Sequence, residues 1–208
     1  MLTLVNVSYH PPASSHPILQ HIDLMVPAPS LTLIVGPSGA GKTTLLEVIA
    51  GLAAPTQGYI RWQDQVLQPA DLRLVAGLVF QFPERHFCGL TVLEELRLGH
   101  PELTYDQVQQ VLETVHLADV SWQQPPHCLS GGQQRRLALA VQLIRQPYLL
   151  LLDEPLAGLD WSMRRQLLQL LQELKQRWSL LVVSHDIREL SALADQVWRL
   201  EHGTLGAA

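Results

Sequence analysis

The chain has 208 residues, of which 47% are hydrophobic and 16% are charged. This length and composition are typical of one globular domain with a substantial core. The formal net charge is −5, and no run of Lys or Arg is longer than two residues, which argues against nucleic acid as a partner.

The N-terminal segment MLTLVNVSYH lacks a basic region followed by an apolar one. No apolar stretch reaches the roughly 18 residues needed to span a bilayer. We therefore expect a cytoplasmic protein, or one that other proteins hold at a membrane. Cys88 and Cys128 lack the number and spacing of a disulfide framework or a zinc site, so free thiols are expected.

Short apolar segments bounded by turn or polar residues alternate with segments of helical periodicity, which predicts a layered α/β sheet. Four segments are expected to form parallel strands covered on both faces: residues 31–35, 78–80, 149–152 and 180–183. Residues 163–177 carry leucines on one face and polar side chains elsewhere, which predicts a helix packed on the sheet.

Residues of about 84–134 follow a different pattern, because their apolar side chains repeat at helical spacing without an intervening strand. The repeating positions are Val92, Leu93, Leu96, Val108, Val111, Leu112 and Val115. We expect a small helical subdomain inserted into an α/β core formed by about 1–83 and 135–208, within a single domain.

A phosphate-binding loop is predicted between the first of these strands and a helix. The segment Gly36-Pro37-Ser38-Gly39-Ala40-Gly41-Lys42-Thr43 matches GxxxxGK[ST] in that setting. Its glycines let backbone N–H groups turn toward phosphate oxygens, and the helix dipole adds partial positive charge. We expect Lys42 to reach the β- and γ-phosphates of a nucleotide and the Thr43 hydroxyl to bind Mg²⁺.

Polar side chains also follow the other predicted strands. Asp153 and Glu154 come directly after residues 149–152, where open α/β sheets place ligands. Asp153 is expected in the magnesium shell, and Glu154 as the base for a water molecule. Gln81 and His185 follow two further strands, so we expect the strand ends to bring Gly36, Gln81, Asp153, Glu154 and His185 to one edge.

Taken together, these motifs resemble the nucleotide-binding subunit of an ATP-binding-cassette (ABC) transporter. The resemblance rests on the order GPSGAGKTT, Gln81, LSGGQ at 129–133, LLLLDEP, AGLD at 157–160 and His185, and covers essentially the whole chain. It implies a P-loop NTPase core with a mainly parallel sheet, an N-terminal antiparallel β portion and an inserted helical subdomain. ATP hydrolysis with Mg²⁺ is implied as well, with Tyr9 stacking on adenine and Thr44 in the nucleotide site. It also implies that Gln81 senses Mg²⁺ and water, that His185 contacts the γ-phosphate and that 157–160 communicates between paired subunits.

The LSGGQ segment is a second glycine loop that begins a helix, a form suited to binding an anion. The resemblance implies that two subunits, identical or related, close head to tail over two ATP molecules. Ser130, Gly131, Gly132 and Gln133 of one subunit would then bind the ATP held by Lys42 of the other. Ser130 and Gly132 are the residues expected to face the phosphate.

Residues 79–84 and 90–95 are similar to ATPases of energy-coupling-factor importers, although Arg85-His86-Phe87 departs from that pattern. Because about two dozen residues follow His185, we do not expect the C-terminal extension common in that group. A membrane-embedded subunit is expected to dock near Gln81–Leu90, where Phe82, Pro83, Phe87 and Leu90 form an apolar run. Two alternatives are a soluble ABC ATPase of DNA repair or translation and a regulatory nucleotide-binding module that has lost catalysis.

Overall fold

A computed structural model describes residues 1–12 and 14–208. Its strands are β1 (Leu2–Tyr9), β2 (Leu19–Val26), β3 (Ser30–Val35), β4 (Gln57–Trp62), β5 (Gln65–Leu67), β6 (Ala76–Val79), β7 (Leu149–Asp153), β8 (Ser179–Ser184), β9 (Gln196–Glu201) and β10 (Thr204–Ala207). Its α-helices are α1 (Lys42–Ile49), α2 (Pro69–Val75), α3 (Val92–Arg97), α4 (Tyr105–Thr114), α5 (Gly131–Ile144) and α6 (Trp161–Leu174).

Four strands form an antiparallel sheet in the order β2-β1-β4-β5. Along β2, buried Leu19, Ile22, Leu24 and Val26 are separated by more exposed residues, as expected of a strand with one covered face. β1 pairs with both β2 and β4, and its Leu2 and Leu4 are buried.

The remaining six strands form a second sheet in the order β10-β9-β3-β8-β7-β6. β3 is parallel to β8 and β9, β7 is parallel to β8, and β10 is antiparallel to β9. Every residue of β3, β7 and β8 is buried, a pattern typical of parallel strands that are covered on both faces. The predicted fold class, a mainly parallel sheet with an N-terminal antiparallel part and added helices, is confirmed.

Two predicted elements differ at their ends from those in the structure. The strand expected at 78–80 is β6, which ends at Val79, and the ring of Phe80 instead packs against His86 with centroids 5.0 Å apart. The helix expected at 163–177 begins earlier, at Trp161, and ends at Leu174. Asp160 explains the early start, because its carboxylate accepts a hydrogen bond from the Met163 amide over 2.9 Å, as helix-capping residues do.

The described residues fall into two compact units. The first comprises Met1–Leu78, Pro147–Glu154 and Gln172–Ala208, and its core joins leucines and valines of both sheets to α1. The second comprises Val79–Gln146 and Pro155–Leu171, and in it α5 packs against α3 and α4. The segment 84–134, expected to be helical, contains α3, α4 and the start of α5 and no strand.

Within the part of the chain that the structure describes, no helix has the length and apolarity that crossing a membrane requires.

Candidate active site

The loop between β3 and α1 requires glycine for two different reasons. A Cβ atom on Gly36 would lie 2.2 Å from the Leu200 carbonyl oxygen, so no side chain fits there. Gly41 has a φ of 102°, a conformation that L-residues rarely adopt. Gly41 is also the N-cap residue of α1, and it has no side chain that could accept hydrogen bonds from the first amides of the helix. Those amides are therefore positioned to bind an anion.

Lys42 begins α1, and only 7% of its surface is exposed. Its Nζ donates hydrogen bonds to the carbonyl oxygens of Gly36 at 2.8 Å and Pro37 at 3.1 Å. The same atom lies 3.7 Å from Glu154 Oε1. Two carbonyl groups of the loop therefore fix the Lys42 ammonium group at the loop, close to the Glu154 carboxylate.

Thr43 and Asp153 are joined directly, since Thr43 Oγ1 donates a hydrogen bond to Asp153 Oδ2 over 2.7 Å. Burial raises the pKa of Asp153, the hydrogen bond from Thr43 opposes that rise, and the charge of Glu154 adds to it. Hydroxyl and carboxylate oxygens are the ligands that Mg²⁺ prefers. Among the described residues no three His, Cys, Asp or Glu side chains form a metal cage, but Mg²⁺ commonly takes one or two protein oxygens together with substrate phosphates.

Glu154 is fixed by the end of β8. Its amide donates to the Val183 carbonyl oxygen over 3.0 Å, and its backbone has a positive φ of 45°. Its Oε2 accepts a hydrogen bond from Ser184 Oγ at 3.1 Å and lies 2.8 Å from His185 Nδ1. The structure thus brings Lys42 and His185 to Glu154, and adds Ser184, which sequence reasoning missed.

The LSGGQ segment begins α5 in the second unit. Ser130 caps the helix, with its Oγ accepting a hydrogen bond from the Gln133 amide, while Gln133 Oε1 accepts one from the Ser130 amide at 2.9 Å. Because Ser130 Oγ is an acceptor in this capping box, its O–H group can still donate to a ligand.

The two glycines of that segment differ in what surrounds them. A Cβ on Gly132 would lie 3.1 Å from Met163 Cγ, so packing within the chain favours glycine there. Within the part of the chain that the structure describes, a Cβ on Gly131 would meet only Leu159 Cδ2, at an ordinary 3.9 Å. The fold of this chain therefore explains Gly132 but gives no reason for glycine at 131.

Arg135 and Arg136 bind carbonyl groups inside the second unit. Arg135 is 5% exposed and donates to the Ala157 carbonyl oxygen over 2.7 Å. Arg136 Nη1 donates to the His116 carbonyl oxygen over 2.9 Å. Both arginines lie on α5, so they belong to the helix behind the loop.

The other predicted site residues lie in separate parts of the chain. Tyr9 ends β1 and packs, half-buried, on the core of the first unit. Thr44 lies half-buried on α1. Gln81 lies in the second unit, two residues beyond β6. The segment 157–160 also belongs to the second unit.

A family model for ABC transporters matches residues 19–157, more than half of the chain. The chain belongs to this family. It is 45% identical over 214 residues to ABC transporter I family member 11, chloroplastic, of Arabidopsis thaliana, covering 95% of this chain and 77% of that protein. It is 37% identical to the energy-coupling factor transporter ATP-binding protein EcfA2 of Lactococcus lactis subsp. cremoris (strain MG1363), covering 96% and 74%.

Solved structures of ABC ATPases have the same fold. CbiO1 from Clostridium perfringens, part of the ABC transporter complex cbiONQ, superimposes with a TM-score of 0.89 at 26% identity, covering 99% of this chain and 86% of CbiO1. A dimeric ATP-binding cassette in a post-hydrolysis state, bound to ADP and phosphate, gives a TM-score of 0.84 at 26% identity, covering 100% and 98%. This ABC ATPase is therefore an ATP-binding subunit whose hydrolysis of ATP drives transport.

Proposed function

We propose that this ABC ATPase powers import through a membrane-embedded partner, and that two ATPase subunits hydrolyse ATP at sites shared between them. The importer assignment is supported by the resemblance of residues 79–84 and 90–95 to ATPases of energy-coupling-factor importers, and by the similarity to EcfA2, an energy-coupling factor transporter ATP-binding protein. The observation that carries the ATPase chemistry is the position of Glu154, whose Oε1 lies 3.7 Å from Lys42 Nζ while β8 holds its Oε2. Residues 1–208 would act as one ABC ATPase domain, held at the cytoplasmic face of a membrane by the partner.

The residues around Asp153 fit Mg²⁺, because Thr43 and Asp153 present oxygen ligands 2.7 Å apart. Thr43 and Asp153 would hold the ion, and the resemblance to ABC transporter subunits implies the same role for Gln81. When bound, Mg²⁺ supplies charge that neutralises the phosphate oxygens.

In the proposed reaction, the chain mainly positions groups and stabilises charge. The amides of Gly36–Thr43 and the Lys42 ammonium hold the phosphates, His185 contacts the γ-phosphate, and Tyr9 stacks on adenine. A water oxygen bonds to the γ-phosphorus while the bond to the oxygen of ADP breaks, and Glu154 takes a proton from that water. General-base action of this kind typically contributes about 10²- to 10⁴-fold in rate.

The second half of each site would come from the other subunit. The dimeric ATP-binding cassette bound to ADP and phosphate supports pairing of two such domains. The glycine at 131, which contacts within the chain do not require, supports a close approach from outside the chain. We therefore propose that Ser130, Gly131, Gly132 and Gln133 bind the ATP held by the other subunit, with Ser130 and Gly132 facing its γ-phosphate.

Gly131→Ala is expected to fold as well as wild type but to hydrolyse ATP slowly. The methyl group makes only an ordinary contact within the chain, and alanine favours a helix over glycine by about 1 kcal/mol. In the shared site the same methyl would displace the phosphate, and a shift of about 1 Å can cost about 100-fold in rate. Thermal unfolding and steady-state hydrolysis measure the two effects, and unchanged hydrolysis would contradict the shared site.

The proposed docking segment, Gln81–Leu90, is partly exposed. Pro83 is buried, Phe82 and Phe87 are half-buried, and Leu90 is 78% exposed. Two carboxylates on α3 hold its backbone: Glu95 Oε2 accepts from the amides of Cys88 and Gly89 at 2.8 and 2.7 Å, and Glu94 Oε2 accepts from that of Leu90 at 2.9 Å. An exposed apolar side chain on a fixed backbone suits contact with a partner.

Leu90→Asp is expected to weaken association with the membrane subunit while leaving the isolated ATPase unchanged. Burying an unpaired carboxylate at an interface costs several kcal/mol, which corresponds to at least about 100-fold in affinity. Leu74→Asp is the matched control, because Leu74 is similarly exposed at 74% but lies on α2 of the first unit. The amount of membrane protein that co-purifies with each tagged variant measures this association. Equal amounts with Leu90→Asp and Leu74→Asp would count against docking at 81–90.

The direction of transport has its own test. The membrane complex that co-purifies with the chain is reconstituted in vesicles with the ATPase facing outward. On added ATP, an importer moves its substrate from the vesicle lumen to the medium. Movement into the lumen would contradict the importer assignment, and purification without any membrane protein would favour a soluble ABC ATPase.

A further inference from the structure

We propose that Ser184 is a positioning residue that holds the Glu154 carboxylate in place for hydrolysis. This inference rests on the proposed role of Glu154 as the base. Ser184 is the last residue of β8 and is 5% exposed. Its Oγ lies 3.1 Å from Glu154 Oε2 in a buried hydrogen bond.

The direction of this hydrogen bond is set by the neighbours of Ser184. The amide of Asp186 donates to Ser184 Oγ over 3.1 Å, so the hydroxyl oxygen is an acceptor on that side. An ionised carboxylate can only accept hydrogen bonds. The single hydroxyl hydrogen of Ser184 therefore points at Glu154, and the bond is of the stronger, charge-assisted kind.

The backbone around Ser184 is held as firmly as its side chain. β7 and β8 pair in register with Asp153 opposite Val183, and the Glu154 amide donates to the Val183 carbonyl oxygen over 3.0 Å. The Gly36 amide donates to the Ser184 carbonyl oxygen over 3.3 Å. Ser184 thus connects the phosphate loop to the carboxylate that would take the proton.

His185 contacts the same carboxylate oxygen but in a different setting. Its Nδ1 lies 2.8 Å from Glu154 Oε2, and its side chain is 59% exposed. If His185 turns to the γ-phosphate, as the proposed function requires, it gives up that contact. The buried Ser184 hydroxyl can keep its hydrogen bond throughout, so it would hold Glu154 whichever partner His185 takes.

The test compares two variants of equal shape, Ser184→Thr and Ser184→Val, in the purified full chain. We expect Ser184→Thr to keep kcat within about twofold of wild type and Ser184→Val to lose about tenfold, the effect of one charge-assisted hydrogen bond. KM and ATP affinity should stay unchanged in both, because the hydroxyl contacts the base and not the nucleotide. Ser184→Ala, which adds no volume, should lose kcat as Ser184→Val does.

Ser179 provides the matched control on the same strand. It is 2% exposed, and its Oγ has no hydrogen-bond partner among residues 1–12 and 14–208, so Ser179→Val tests the same substitution without loss of a contact. We expect its kcat to remain at the wild-type level. Equal kcat for Ser184→Thr and Ser184→Val, or an equal loss in Ser179→Val, would overturn the proposal.

Glu154→Gln separates this inference from the function on which it rests. Normal turnover in Glu154→Gln would show that the proposed base is wrong. Loss of turnover in Glu154→Gln, together with equal rates for Ser184→Thr and Ser184→Val, would overturn only the role of Ser184.

Discussion

Glu154→Gln is expected to lower ATP turnover at least about 100-fold while ATP still binds, because an amide cannot take the proton of the attacking water. The side chain keeps its size, and its amide oxygen can still accept the hydrogen bond from Ser184. Steady-state hydrolysis and equilibrium ATP binding measure the two effects separately. A variant that turned over ATP at the wild-type rate would exclude Glu154 as the base.

Glu47→Gln is the control for simple loss of negative charge. Glu47 lies half-buried on α1 in the same unit. Burial and then the nearby charge of Asp153 raise its pKa. No step of the proposed reaction uses Glu47, so its variant should hydrolyse ATP within about twofold of wild type, the range of ordinary surface substitutions. An equal loss in both variants would indicate an electrostatic effect and not proton transfer.

The position of Glu154 was predictable because β7 is an unbroken run of leucines that ends in Asp153. A fully buried strand of a parallel sheet has no polar position until its end, so the first carboxylates mark the edge where ligands bind. The place of the phosphate-loop motif was predictable from its own strand-loop-helix setting, and the motif does lie between β3 and α1. Family membership and ATPase function were also predicted from these motifs and are confirmed.

Ser184 was not predictable, because its contact depends on strand register. The hydroxyl reaches Glu154 only because β8 pairs with β7 so that Val183 lies opposite Asp153. A shift of one residue would turn the hydroxyl to the other face of the sheet. Likewise, the apolar run Phe82–Leu90 gave no sign that Pro83 is buried while Leu90 is exposed, since that difference depends on the packing of the second unit.

Ser130→Asp is expected to abolish ATP hydrolysis in the dimer, with a loss of at least about 100-fold, while α5 stays folded. Aspartate caps helices as well as serine does, so the hydrogen bond to the Gln133 amide can be kept. The new carboxylate would face the γ-phosphate of the other subunit, where like charges repel strongly in a site that excludes water. Thermal unfolding checks that the variant stays folded, and steady-state hydrolysis measures the loss of ATPase activity.

Thr104→Asp is the matched control for this change. Thr104 caps α4 with the same capping box. Its side chain accepts a hydrogen bond from the Gln107 amide, and Gln107 Oε1 accepts one from the Thr104 amide at 2.9 Å. The substitution adds the same charge to the same helix position, away from any proposed phosphate. Hydrolysis by Thr104→Asp should remain at the wild-type level, and an equal loss there would contradict phosphate binding by Ser130.

Mixing two inactive variants shows whether Lys42 and Ser130 act in one chain or across two. If they act across a head-to-tail dimer, a pair of Lys42→Ala and Ser130→Asp subunits contains one site with both native residues and one with both substitutions. In an equal mixture that exchanges subunits, half of the dimers are mixed, so independent sites would restore up to about a quarter of wild-type turnover. If both residues served the same chain's ATP, every site would carry one substitution and mixing would restore none. A mixture that stayed inactive would therefore contradict a shared site between identical subunits.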